Sequence, residues 1–196
     1  MKYPAIEPAS YSGAESITNA SGDIIAKLTD FWSWAHSNLM DNTERGILAE
    51  YLVACAVDIQ SEKRVPWSKY DLLTKEGIKI EVKSSGYLQT WGQEKLSNIA
   101  FGIQETYGWN EADGTFDDDR KRQSDIYVFC VHKHANQETV NPLDVTQWDF
   151  YLLSTQKLNE NVNHQKSITL SSLLKIGAEK CTYELLYKKI LKIIYT

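Results

Sequence analysis

The sequence predicts an α/β (α+β) fold, a sandwich in which helices flank a run of strands. Apolar residues recur at helical spacing towards both ends of the chain, apolar and polar residues alternate at period two through its middle, and turn formers separate the segments. With 196 residues, 42% of them apolar and 24% charged, the chain is long enough to bury a core as one domain, 1–196, without metal or disulfide staples. Residues 1–20, with Pro4, Pro8, Ser10, Ser12 and Gly13, read as a loose lead-in.

Each element has its own signal. Between Asp23 and about Met40, the spacing of Ile24, Leu28, Phe31 and Trp32 predicts an amphipathic helix whose tryptophans pack rather than stack on bases. Asn42 or Thr43 then caps a second helix, apolar nearly all round, that reaches about Val57. WSKYDLLT (67–74) and GIKIEVKSS (77–85), joined through Lys75, Glu76 and Gly77, predict a β-hairpin. Further strands are expected at 98–104, 125–131 and 149–154, whereas 105–124, dense in charge and turn formers, reads as a long surface loop. In the C-terminal part, 154–196, Ser154, Ser171 and Thr182 each open a helix, and the stripe Tyr183, Leu186, Ile190, Ile193 docks the last one on the core.

Composition narrows the function classes. Cys55, Cys130 and Cys181 are too far apart for a CxxC knuckle or a disulfide framework, which points to a reduced, cytoplasmic setting. Neither an export signal nor an apolar run of membrane-spanning length is read, so no membrane partner is expected. The net charge of −5 runs against a nucleic-acid partner, because non-specific affinity comes from Lys and Arg displacing counterions. A metal ion in an acidic site would supply positive charge locally.

The chemistry concentrates in the hairpin. Period two places Ile78, Ile80 and Val82 on one face of strand 77–85 and Lys79, Glu81 and Lys83 on the other. An exposed strand face gives the same alternation, but the hairpin sets Asp71 roughly across from Glu81, so that two carboxylates and an amine converge. Mg²⁺ takes one or two carboxylates with waters and substrate phosphate, and Asp71, Glu81 and the carbonyl of Val82 meet that need. The Lys83 amine would orient or deprotonate the attacking water and steady charge on the phosphate, as phosphodiester hydrolysis requires. Glu50 is the only charged residue between Ile47 and Val57, and a carboxylate in such apolar surroundings needs a cation, a metal or a protonated state, against the plainer reading of a helix edge where it reaches water or Arg45.

Asp71, the ten-residue step to Glu81, then Val82 and Lys83 resemble the PD-(D/E)xK nuclease superfamily, the restriction-endonuclease-like fold. The resemblance spans residues 42–132, with Tyr70 where the motif name has proline, and the strings RGILAEYLV and EVKSSGYLQ look like those of small stand-alone bacterial members. It implies a mixed central sheet flanked by helices, a further glutamate (Glu50) on the helix before the hairpin, Mg²⁺ or substituting Mn²⁺ as cofactor, and DNA as the substrate. RNA cleavage, and a non-catalytic binding module on the same fold, stay open. A homodimer also stays open, since enzymes that cut both strands often pair two sites by symmetry. Around this core, Ser84, Ser85 and Gln89 are candidates to support the site and Arg120 and Arg122 to bind phosphate, against the plainer readings of a solvated loop and charge balance with Asp117, Asp118 and Asp119. His132 and His134 lack an evident third ligand and read as a strand end.

Overall fold

Ser16–Thr18 (β1) and Ile24–Lys27 (β2) form an antiparallel hairpin with Ser16 facing Lys27. Asn19 closes it, its side-chain oxygen accepting from the amides of Ser21 and Asp23 at 2.9 Å each. Helix α1 (Leu28–His36) follows, and the Lys27 amide donates to the Asp30 carboxylate at 2.7 Å. The helix predicted from Asp23 is thus nine residues long, because Ile24–Lys27 pair with β1, a strand that the loose lead-in conceals. No side chain of α1 is buried and Trp34 is 85% exposed, so of the core or helix packing expected for the tryptophans the core part is not realised, while Trp32 lies against Gly13. These elements belong to the first of two compact units, Met1–Leu39 and Met40–Thr196, in a computed structural model that describes residues 3, 6, 9–60, 63–66, 68–110 and 114–196.

The second unit opens with α2 (Asn42–Ala56), capped one residue earlier than expected by Asp41, which accepts from the Thr43 amide at 2.8 Å. The predicted hairpin follows as β3 (Leu72–Leu73) and β4 (Lys79–Gly86). Its turn is closed by the Gly77 amide on the Thr74 carbonyl at 2.9 Å, with Gly77 at φ +83°, a backbone state that suits glycine. Strand β3 is shorter than 67–74, and Trp67 lies outside the described residues.

After β5 (Ala100–Gly102), the expected surface loop is instead an antiparallel ribbon, β6 (Thr106–Asn110) and β7 (Thr115–Lys121). Strand β7 is solvated on both faces, so it carries no apolar alternation to announce it. Residues 111–113 of that stretch lie outside the described residues. Strands β8 (Ile126–His132) and β9 (Trp148–Ser154) stand where expected, and Ser154 caps α3 (Thr155–Val162). Next come β10 (Ser167–Thr169) and α4 (Leu170–Lys175), capped by Thr169 rather than Ser171, which sits inside the first turn. Strand β11 (Glu179–Cys181), a 3-10 turn over Tyr183–Leu185 and α5 (Leu186–Tyr195) complete the unit.

The central sheet has the order β11-β9-β8-β4-β3, with β4 parallel to β8 and every other neighbour antiparallel. On one face Ile78, Ile80, Val82, Val128 and Phe150 pack against α2 and α5, where Ala49, Val53, Leu186 and Ile190 are fully buried. The other face presents Tyr127, Phe129 and Leu153 to α3, α4 and the small β5–β10 pair. Burying each large apolar side chain contributes about 1.5–3 kcal/mol, so these two cores hold the sheet rigid beneath the β3–β4 edge. The result is a mixed central sheet flanked by helices, as the sequence predicts. No helix among the described residues is long and apolar enough to cross a membrane.

Candidate active site

Strand β4 sorts its side chains as period two requires. Ile80 and Val82 are buried in the core beneath α2, while Glu81 and Lys83 stand together on the opposite face, where the Lys83 ammonium donates to Glu81 Oε1 at 2.5 Å. The register of β3 on β4, Leu72 with Ile80, places Asp71 opposite Glu81. At Asp71 the ladder changes character. Its amide still donates to the Ile80 carbonyl at 3.1 Å, but the next β4 amide, Val82, donates at 2.7 Å to the carboxylate Oδ2 instead of to a carbonyl of β3. The Asp71 side chain therefore caps the sheet edge just before β3 begins, and this bond fixes its position relative to Glu81.

Glu50 approaches from α2. Its carboxylate accepts from Arg64, Nε to Oε2 at 2.5 Å and Nη2 to Oε1 at 3.0 Å. Asp71 and Glu50, with Tyr51, Arg64 and Tyr70, line a cleft of about 560 Å³. Burial, then the charges of Glu81 and Glu50, push the Asp71 carboxyl up to about 7. Burial alone would lower the Lys83 amine, but Glu81 and Asp71 outweigh it and hold the group in its charged form.

Among the described residues, no three His, Cys, Asp or Glu side chains are placed together to hold one metal ion. The reason is visible in the pairing: Glu81 is turned to Lys83, Glu50 to Arg64, and one Asp71 oxygen to Val82. By chemistry the donors suit a hard divalent cation, since all are oxygens and Asp71 lies within the electrostatic reach of two further carboxylates. To bind one together, Glu81 and Glu50 would turn away from Lys83 and Arg64.

The remaining candidates are placed as follows. Ser85 follows Glu81 and Lys83 on their face of β4, whereas Ser84 lies on the α2 face with its hydroxyl buried and without a partner among the described residues. Gln89 donates to the Gly86 carbonyl at 2.9 Å and to Ser97 at 3.2 Å, and accepts from Arg45 at 3.4 Å, bracing the loop beyond β4. Arg120 is exposed on β7 above the Tyr107 ring, 5.4 Å from its centre. Arg122 is buried, donating to the carbonyls of Ile103 at 2.8 Å and Asn163 at 2.9 Å and to the Asn159 side chain at 2.6 Å, so its guanidinium is taken up by the fold. His132, fully buried against Trp148, ends β8, and His134 is bonded to Thr139.

Sequence reasoning missed two cations, Arg64 and Lys69, and misplaced a third, Arg45, which it offered as the plain partner of Glu50. Arg64, partner of Glu50, stands in an irregular stretch whose only local signal is its charge. Lys69 reaches Asp117 of β7 at 3.0 Å, tying the ribbon to the segment that leads into Asp71. Arg45, in the first turn of α2, looks like a surface residue but is 3% exposed and donates to the Met40 carbonyl at 3.2 Å.

Residues 22–172 match the sequence profile described as Bacteriophage T4 endonuclease IV. The chain belongs to that family. It is a nuclease family, and the matched span contains Glu50, Asp71, Glu81 and Lys83. Comparison with curated proteins gives no match. At the β3–β4 edge Asp71 faces Glu81 and Lys83 on one side and the cleft that it shares with Glu50 on the other.

Proposed function

We propose that the chain is a Mg²⁺-dependent nuclease of the PD-(D/E)xK kind that hydrolyses phosphodiester bonds in DNA, with Mn²⁺ able to substitute. The observation that carries this reading is the hairpin edge itself: Asp71 opposite Glu81, Lys83 beside Glu81, and Glu50 across the cleft. Membership of a phage endonuclease family supports nuclease chemistry with internal cuts, and the resemblance of the motif to restriction-endonuclease-like proteins supports DNA.

In this reading Asp71, Glu81 and the Val82 carbonyl hold the cation, with Glu50 as an auxiliary carboxylate. When bound, the cation supplies a water of lowered pKa and neutralises charge on the phosphoryl oxygens. Lys83 orients or deprotonates the attacking water and steadies the negative charge that builds on the phosphate. Water gives up a proton as its oxygen bonds to phosphorus, the bond to the leaving sugar oxygen breaks, and that oxygen takes up a proton in turn, so that one water is consumed and a monoester and an alcohol are left. The buried face of β4 beneath α2 keeps Glu81 and Lys83 aligned through this change.

Lys83→Ala should abolish cleavage in Mg²⁺ while leaving the circular dichroism spectrum unchanged. If the purified chain cuts neither DNA nor RNA in Mg²⁺ or Mn²⁺, or cuts equally well without Lys83, the reading is wrong. The net charge of −5 favours a second reading, a non-catalytic binding module on the same fold. Calorimetric titration with Mn²⁺ separates the two, and parallel assays on DNA and RNA decide the polymer.

A further inference from the structure

Arg64 and Glu50 meet fork to fork, yet the arginine side chain is 42% exposed and the glutamate 14%. An ion pair that open to water adds little to stability, so packing gives no strong reason for it. Its location does. Arg64 lines the same cleft as Glu50 and Asp71, and its charge also reaches Asp71. A guanidinium presents two parallel N–H donors that match a phosphate as well as a carboxylate. Glu50 cannot give the same oxygens to Arg64 and to a cation, and a cation seated beside Asp71 repels the guanidinium. The segment bearing Arg64 lies outside every helix and strand, between α2 and β3, and its side chain is open to solvent on the side away from Glu50.

We infer that Arg64 is a positioning residue with two stations: on Glu50 in the metal-free protein, and on a phosphate of the substrate strand once the cation is seated. This rests on the reading of Asp71, Glu81 and Glu50 as cation ligands. Its consequence is an exchange of partners, in which cation entry both frees Arg64 and places it at the lip of the cleft where the strand must lie. Arg64 thus offsets the negative charge of the site while it is vacant and gives the acidic chain a phosphate contact when it is loaded.

The test measures two affinities on the full chain. Mn²⁺ binding is followed by calorimetry without DNA, and binding of an end-labelled DNA oligonucleotide is followed by anisotropy in Ca²⁺, for wild type, Arg64→Ala, Arg64→Lys and Asp71→Asn. Arg64→Ala should bind Mn²⁺ up to about 5-fold more tightly, having lost a competitor for Glu50, and DNA about 10-fold more weakly, having lost a charge-assisted phosphate contact. A merely structural arginine would weaken both. Arg64→Lys, which keeps the charge but not the fork, should retain wild-type Mn²⁺ affinity and still lose DNA affinity, so it carries the test should Arg64→Ala fold poorly. The inference is overturned if Mn²⁺ affinity falls in Arg64→Ala, or if DNA affinity is unchanged in either variant. Wild type and Asp71→Asn separate the layers: Mn²⁺ bound by wild type and lost in Asp71→Asn upholds the metal site whatever Arg64 does, and no Mn²⁺ bound by wild type removes both.

Discussion

His132 gives the fold a defined acid sensitivity. The imidazole is fully buried at the end of β8, its ring 4.9 Å from that of Trp148. Burial, then the nearby charges of Arg45 on α2 and His134 on the following segment, lower its pKa from 6.5 to about 4. Unfolded chains take up the proton near 6.5 and the native state resists it until about 4. The native protein therefore has its full stability above pH 6.5 and loses it as pH falls towards 4, with no further loss from this group below that. At ~1.4 kcal/mol per pH unit of separation, the loss approaches about 3 kcal/mol. Urea unfolding followed by circular dichroism at pH 7.5, 6.5, 5.5 and 4.5 measures it. His132→Phe keeps a ring against Trp148 and removes the titration, so the difference between wild type and variant isolates this group from the carboxylates that titrate in both. Wild type should lose most of that ~3 kcal/mol relative to the variant across the series. Parallel curves for the two proteins would refute the argument.

Two further outcomes follow from the fold. Arg122→Met keeps the stem and deletes a buried guanidinium that joins Ile103, Asn159 and Asn163, leaving their oxygens without this donor; a loss of about 3–5 kcal/mol in urea unfolding is expected, and a loss below about 1 kcal/mol would show that water replaces it. Gly77→Ala forces a Cβ into the left-handed turn at φ +83° with open space around it, so the cost should be backbone strain alone, roughly 1 kcal/mol by thermal melting.

What could be read in the sequence divides along physical lines. The facing of Asp71 and Glu81 was legible because it depends on one tight turn and a period of two, both local properties of residues 71–83. The core strand 126–132 announces itself by apolar content alone, since all seven residues are buried. By contrast, β7 is charged and solvated on both sides, and such a strand differs from a loop only in its backbone pairing. Ile24 and Ile25, about two-thirds exposed, imitate the apolar positions of a helix that begins four residues later. The partners of Glu50 and Arg45 were hidden for another reason. Both are set by how an irregular segment folds back on α2, and neither Arg64, 14 residues from Glu50, nor Gln89, 44 residues from Arg45, carries a periodic signal.

The carboxylate of Asp71 takes the place of a strand carbonyl on Val82, and this divides the neighbourhood into a part that must keep its length and a part that need not. From Asp71 through Thr74 to Gly77 and on to Lys83, gain or loss of a single residue would turn Glu81 and Lys83 to the α2 face and leave the Val82 amide bare. Upstream, from Asp58 to Tyr70, the chain only has to deliver Asp71 to that amide and carry Arg64 within reach of the cleft. Relatives that differ in substrate would accordingly vary in the length and composition of that upstream arc, while the span from Asp71 to Lys83 holds a constant count.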